Sequence, residues 1–101
     1  MILNSIVVLS LHSPKEKIWG ELLALSPAGI TMRGVGLTHF EELLRQAAAG
    51  EAGAGSLSTV FFPSYRVERM ALDEGIPEAP SLAERFRQRM GITVQDFFRA
   101  E

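Results

Sequence analysis

Tyr65, Arg66 and Arg69 are the side chains best suited to gripping a ligand, because an aromatic ring beside guanidinium groups can stack on a base and clamp an anion. The competing reading is a strand face whose arginines pair with Glu68 or with the acids that follow it. Arg85, Arg87 and Arg89 alternate along a helical stretch, so they fan around it instead of forming one stripe. His12 and His39 are the only histidines, with Ser13 beside the first and Glu41 and Glu42 beside the second. A metal or acid–base role needs more partners than these, and His39 reads more simply as the first residue of a capped helix. Ser10, Ser13, Ser26 and the later serines lack the glycines of a nucleophile elbow. The acid pairs Glu41-Glu42 and Asp73-Glu74 are adjacent, and adjacent positions on a helix diverge by about 100°, so neither pair converges on one substrate atom. The GEAGAGS stretch lacks the flanking strand, helix and lysine of a phosphate loop. A non-enzymatic protein without cofactor or metal is therefore the expectation.

Composition bounds the remaining classes. At 101 residues the chain is one domain, and a chain of this size buries roughly two-thirds of the surface its unfolded form exposes. An apolar share of 47% and a charged share of 22% are ordinary for a soluble globular protein. The lack of cysteine excludes disulfides, thiolate catalysis and Cys-based zinc sites, and fits a reducing cytoplasm. The opening MILNSIVVLSLH is short, alternating and without a basic start, so it reads as a strand rather than a signal peptide. No run approaches the ~20 apolar residues of a membrane span. The net charge is −2, residues 73–80 carry three acids and no base, and no window is strongly basic. That counts against nucleic-acid binding led by phosphate contacts, although a ring of subunits could concentrate a few arginines.

The elements that must position these side chains centre on residues 15–35. Ile18, Gly20, Leu22 and Ala24 alternate with Trp19, Glu21, Leu23 and Leu25, and after Ser26-Pro27-Ala28-Gly29 the same period of two continues to Val35. Pro27 and Gly29 suit a tight turn, so the stretch predicts a long hairpin. Gly20, mid-strand among large residues, permits a sharp bend or close backbone approach. Trp19, Leu23 and Leu25 make the second face apolar too, which calls for a cover from the chain's own helices or from another subunit. A first strand is expected over 5–12, a fourth over 57–62 and a fifth over 65–72. Thr38 and Glu41 form the pattern of a capping box, opening an amphipathic helix over 38–49 that Gly50 stops. Residues 51–56 read as a flexible link. Ser81 and Glu84 form a second capping box, with Leu82, Phe86 and Met90 on one stripe and Gly91 at its end. Thr93 and Asp96 open a last short turn carrying Val94, Phe97 and Phe98, which read either as a docked tail or as the anchor of an intersubunit contact.

The stretch IWGELLALSPAGITM resembles the first signature of Sm-like proteins, and VFFPSYRVERMAL is similar to the last two strands of the LSm/Hfq-type barrels. The resemblance covers residues 5–73. It implies a five-stranded SH3-like or Sm-like barrel whose interior holds Ile18, Gly20, Leu22, Ile30 and Met32. The family usually forms rings by pairing the fourth strand of one subunit with the fifth of the next, which would set Val60, Phe62, Val67 and Met70 at or near a subunit interface. Sm-like proteins usually carry an Asp and an Asn around the hairpin turn, where this chain has Ser26-Pro27-Ala28-Gly29. Before the fifth strand they carry Arg-Gly or Tyr-Lys-His, where it has Pro63-Ser64-Tyr65-Arg66. Tyr65 and Arg66 are then the residues left to stack on a base or hold a phosphate. The full expectation is a mainly β chain. Residues 1–73 form the barrel, with a helical insertion and link over 38–55; 74–80 is a linker and 81–101 a C-terminal helical extension. It acts as a homo-oligomeric binding or scaffold module. RNA binding is the alternative, and a small enzyme with a site between subunits the third reading.

Overall fold

The computed structural model of the chain describes residues 2–51 and 57–99. Its strands are β1 Ile6–Leu11, β2 Glu16–Ser26, β3 Gly29–Gly36, β4 Ser58–Pro63 and β5 Val67–Leu72, and its helices α1 Phe40–Ala48, α2 Leu82–Met90 and α3 Val94–Phe98. The strands form one antiparallel sheet in the order β4-β3-β2-β1-β5. The fold is thus strand-rich with helices added between β3 and β4 and after β5. The link expected over 51–56 lies, apart from Glu51, outside the described residues. No described helix is long and apolar enough to cross a membrane.

The hairpin forms where its alternation and turn residues place it. Ser26 pairs with Gly29 across Pro27-Ala28, and the Ser26 hydroxyl accepts a hydrogen bond from the Ala28 amide at 3.2 Å. At its centre Gly20 lies directly opposite Gly34. A Cβ on Gly20 would stand 2.6 Å from the Gly34 Cα and nearer still to the Arg33 carbonyl, so a side chain at either glycine would force the backbones apart. A register shift between Leu22 and Ala24 bends the ribbon again.

Each face of the sheet is buried by a different device. The outer face carries Ile6, Val8, Trp19 and Val35, and the helices cover it. The Trp19 ring meets Phe40 of α1 edge-on at 4.9 Å and Phe98 of α3 at 5.8 Å, and Phe86 of α2 packs on Phe97 at 5.0 Å. Such pairs contribute about 0.5–1.5 kcal/mol each beyond area burial. The chain's own helices are therefore the cover that the second apolar face required. The register shift sets Leu25 opposite Ile30 of the inner set, so Leu25 does not share the face of Trp19 as the alternation suggested; it is exposed near the turn, and Leu23 is half-buried.

No described helix packs on the inner face, yet Val7, Leu9, Leu11, Leu22 and Met32 are buried there with Ile30 and Phe62, and Ile18, Val67 and Met70 lie against them. Among the described residues this cluster is built from strand residues alone, so the sheet covers itself. The β4–β5 connection demands the same curl. In a flat sheet the outer strands of five would stand roughly 19 Å apart. From Pro63 to Val67 the chain reaches at most about 14 Å, and less here because Ser64–Arg66 is a 3₁₀ turn.

Two sequence expectations about the barrel are corrected. The sheet is not closed: β4 and β5 are its two edges and no ladder joins them. Strands alternating in direction across the ladder give β4 and β5 the same sense, and strands of the same sense do not pair across a turn of three residues. They meet at the corner through Phe62, Val67 and Met70 and diverge beyond it, where Val60 and Leu72 are exposed. The fifth strand also starts later than expected. Tyr65 and Arg66 belong to the 3₁₀ turn, and a register shift opposite Ser10 and Leu11 breaks the alternation at Glu68.

The helix starts divide. Ser81 caps α2 by accepting from the Glu84 amide at 3.0 Å, Gly91 ends it in the left-handed region at φ 78°, and Thr93 caps α3 by accepting from the Asp96 amide at 3.1 Å. The box at Thr38 is not made. Thr38 sits inside a 3₁₀ turn over Leu37–His39 that runs straight out of β3, and α1 begins at Phe40 with no side-chain cap.

Candidate functional site

The edge strand β4 reads Ser-Thr-Val-Phe-Phe-Pro and carries no charge. Among the described residues its outer edge faces no other strand, Val60 and Phe61 are 41% and 51% exposed, and Ser58 and Thr59 are exposed beside them. Proteins blunt such edges with lysine, proline, bulges or a covering segment. Among the described residues only Pro63, at the far end, does so. β5 is the guarded edge, with exposed Glu68 and Arg69 and the bulge at their position.

A cleft of about 250 Å³ opens on the inner side of β4, between Ile18, Met32, Val60 and Phe62, with Gly34 and Gly36 as its floor. Where side chains on β3 would fill the mouth of the curled sheet, the two glycines leave it open. His39 stands at the rim, and the site of a Cβ on Gly36 lies 3.3 Å from the His39 ring. The wall is apolar, and the rim offers the imidazole and the Ser58 hydroxyl.

The anion-clamping set comes apart. The Arg66 guanidinium donates to the His12 carbonyl at 3.1 Å and to the Pro14 carbonyl at 2.9 Å, with Glu16 at 3.6 Å, so it holds the β1–β2 loop. Tyr65 is 77% exposed on the 3₁₀ turn, and Arg69 is exposed on β5 opposite Ser10. Of the residues placed at a subunit interface, Phe62 is buried in the inner cluster, Val67 and Met70 lie half-buried against it, and Val60 is half-exposed on the free edge. Phe97 and Phe98 are 5% and 4% exposed in the outer cluster and take the docked-tail reading.

Several other ionisable groups are engaged within the fold. His12 Nδ1 lies 3.2 Å from the Ser13 hydroxyl. Glu41 and Glu42 diverge as adjacent helical positions must: Glu41 pairs with Arg85 of α2, which also lies over the Phe40 ring at 5.3 Å, while Glu42 accepts from Arg45 Nε at 3.0 Å. Hydrogen bonds from Arg45 hold the Glu42 carboxyl below its ordinary range, and those from Arg87 do the same for Glu84. Among the described residues no three His, Cys, Asp or Glu side chains gather as metal ligands.

Two polar residues that the sequence left unassigned organise the packing. Asp73, the last residue of the stretch expected to form the barrel, accepts from the Trp19 indole Nε1 at 3.1 Å and from the first amides of α2, Leu82 at 3.0 Å and Ala83 at 2.8 Å. Glu21 is buried on the outer face, accepting from Asn4 Nδ2 at 2.9 Å, with Arg99 at 3.6 Å. The available signal for Glu21 was an acid inside an apolar strand, since a buried charge needs partners. Asp73 gave none, because its indole partner lies 54 positions away.

No protein-family model matches the chain, and no curated protein or solved structure matches it. The arrangement itself offers a strand edge able to pair its backbone with another strand, next to an apolar cleft.

Proposed function

We propose that this protein is a non-enzymatic binding or scaffold module that self-associates through its sheet edge, built on an SH3-like or Sm-like barrel left open between its outer strands. The observation that carries the reading is β4, an uncharged edge strand with Val60 and Phe61 half-exposed and its outer backbone groups facing no described strand. An edge of this kind is a template for strand addition. The strand order, the short 3₁₀ corner between β4 and β5 and the glycine pair in the hairpin support the barrel assignment. The non-enzymatic part is supported by side chains that could do chemistry but are committed to structural contacts, as Arg66, Glu21 and Asp73 are.

Sedimentation and native mass measurement at ten to a hundred micromolar test it. The wild type is expected as an oligomer, and Val60→Lys as a monomer, because a charge on the edge opposes strand pairing. A wild type that stays monomeric across that range refutes self-association.

A further inference from the structure

We propose that β4 pairs antiparallel with β4 of a second copy, about a two-fold axis passing at Val60, and that the cleft beside it is walled by both copies. The inference rests on the self-association proposed above and specifies its geometry.

The directions of the backbone groups are fixed by the β3–β4 ladder. The Ser64 amide donates to the Ala28 carbonyl at 2.9 Å, and the register runs without a break from Gly29↔Pro63 to Gly34↔Ser58. Backbone groups alternate along a strand, so those of Phe62, Val60 and Ser58 point at β3. Those of Thr59 and Phe61 point outward, as does the Pro63 carbonyl.

Parity then restricts the pairing. Directly opposed residues in an antiparallel pair share a face, so a two-fold pairing must set some residue opposite its own copy. Centring on Phe61 would put Thr59 opposite Pro63, which has no N–H, and would leave the Thr59 carbonyl without a donor. With Val60 at the centre, Thr59 and Phe61 face each other on both sides of the axis, and every outward N–H and C=O of the two residues finds a partner. Val60 meets Val60 on the inner face, Ser58 meets Phe62 of the second copy at the cleft, and Phe61 covers Thr59 on the outer face. The uncharged strand brings no like charges together.

The guarded edge is a poorer partner. The Asp73 amide donates to the Ile6 carbonyl at 3.0 Å, so on β5 the outward-facing residues are Met70 and Leu72, whose side chains lie on the inner face. Antiparallel pairing of β4 with β5 would set Phe61, an outer-face residue, level with them. It would also bring Glu68, Arg69 and the bulge to the joint.

The chain has no cysteine, so single cysteines report the contact directly. In the proposed register Val60 forms a non-hydrogen-bonded pair with Cα atoms about 4.5 Å apart, within the range a disulfide spans. Under mild oxidation Val60→Cys is expected to give a disulfide-linked dimer in most chains, while Met70→Cys is not. In the unmodified protein, the Thr59 and Phe61 amides are expected to gain protection from hydrogen exchange by about ten-fold or more on concentration, as mass action requires. An oligomeric wild type in which Val60→Cys cross-links only when mixed with Met70→Cys, or in which the Met70 and Leu72 amides gain the protection instead, overturns the two-fold pairing. Self-association would survive that result. A monomeric wild type removes both.

Discussion

Replacing Asp73 by Ala tests the polar joint that ties the helical layer to the sheet. The carboxylate accepts three hydrogen bonds, from the Trp19 indole and from the Leu82 and Ala83 amides. The Trp19 side chain is fully buried, so its N–H would be left without a partner, at a cost of about 1–3 kcal/mol. The α2 amides would lose a cap and a favourable charge at the helix start, about 1 kcal/mol together, since water can replace part of it. The sum is about 3 kcal/mol, a large share of the ~5–15 kcal/mol that stabilises a domain. For a chain of this length it corresponds to a fall in Tm of roughly 12–20 °C. Urea unfolding followed by far-UV circular dichroism, at one fixed protein concentration, measures it. A cycle with Trp19→Phe isolates the indole contact. With the N–H gone and the ring kept, Asp73→Ala should cost less by about 1–2 kcal/mol. Additive effects within about 0.5 kcal/mol would show that the indole bond contributes nothing and would remove the account of Asp73 as the joint.

Gly20→Ala places a Cβ against backbone atoms of Arg33 and Gly34, which no rotamer change relieves; a loss of about 1–3 kcal/mol in urea unfolding is expected, and an unchanged midpoint would refute the close approach. Ser81→Ala should cost about 1 kcal/mol, whereas Thr38→Ala, whose hydroxyl caps nothing, should stay within about 0.5 kcal/mol; equal losses would contradict the assignment of the caps. Arg66→Ala should destabilise the fold by about 1–2 kcal/mol through the β1–β2 loop, while Tyr65→Ala should leave stability within about 0.5 kcal/mol; an Arg66→Ala protein as stable as wild type would free the guanidinium for a ligand role. Glu42 and Glu84 have depressed folded-state pKa values, so their contribution is present above the ordinary carboxylate value of 4.5 and is lost as pH falls through the folded one. The helical signal should therefore decline on acidification below that value, and less steeply in Glu84→Gln; identical acid profiles for the two proteins would refute the Arg87 contribution.

What could be read from the sequence follows the range of the interaction responsible. The hairpin was legible because alternation, Pro27 and Gly29 are local cues, and Gly20 announced the close approach it makes with Gly34. The inner set Ile18, Leu22, Ile30 and Met32 does share one cluster. The two capping patterns look alike on paper, yet only Ser81 caps. It enters α2 with extended backbone, while Thr38 is drawn into a 3₁₀ turn by the strand it directly follows. Arg66 looked like a ligand residue because its partners are the carbonyls of His12 and Pro14, more than fifty positions earlier and invisible to any spacing rule. The role of Asp73 was hidden for the same reason, its indole partner lying 54 positions earlier. The open seam was missed because closure depends on whether the outer strands can pair, which local pattern does not report.

The proposed association follows from how this small sheet satisfies two apolar faces. All three described α-helices are spent on the face that carries Trp19, and the inner face buries itself by curling. Curling brings β4 and β5 to a shared corner but leaves each with an outer edge, and those edges differ. β5 carries Glu68, Arg69 and a bulge. β4 carries neither charge nor bulge, and exposes Val60 and Phe61 where a guarding lysine would ordinarily stand. A monomer built this way keeps an adhesive strand in water, whereas a pair built on two such strands satisfies their outward backbone groups with each other. The same uncharged strand that completes the inner core through Phe62 thus supplies the contact surface through its edge. A guarding charge at Val60 should separate the two roles, leaving the core intact and the edge closed to partners.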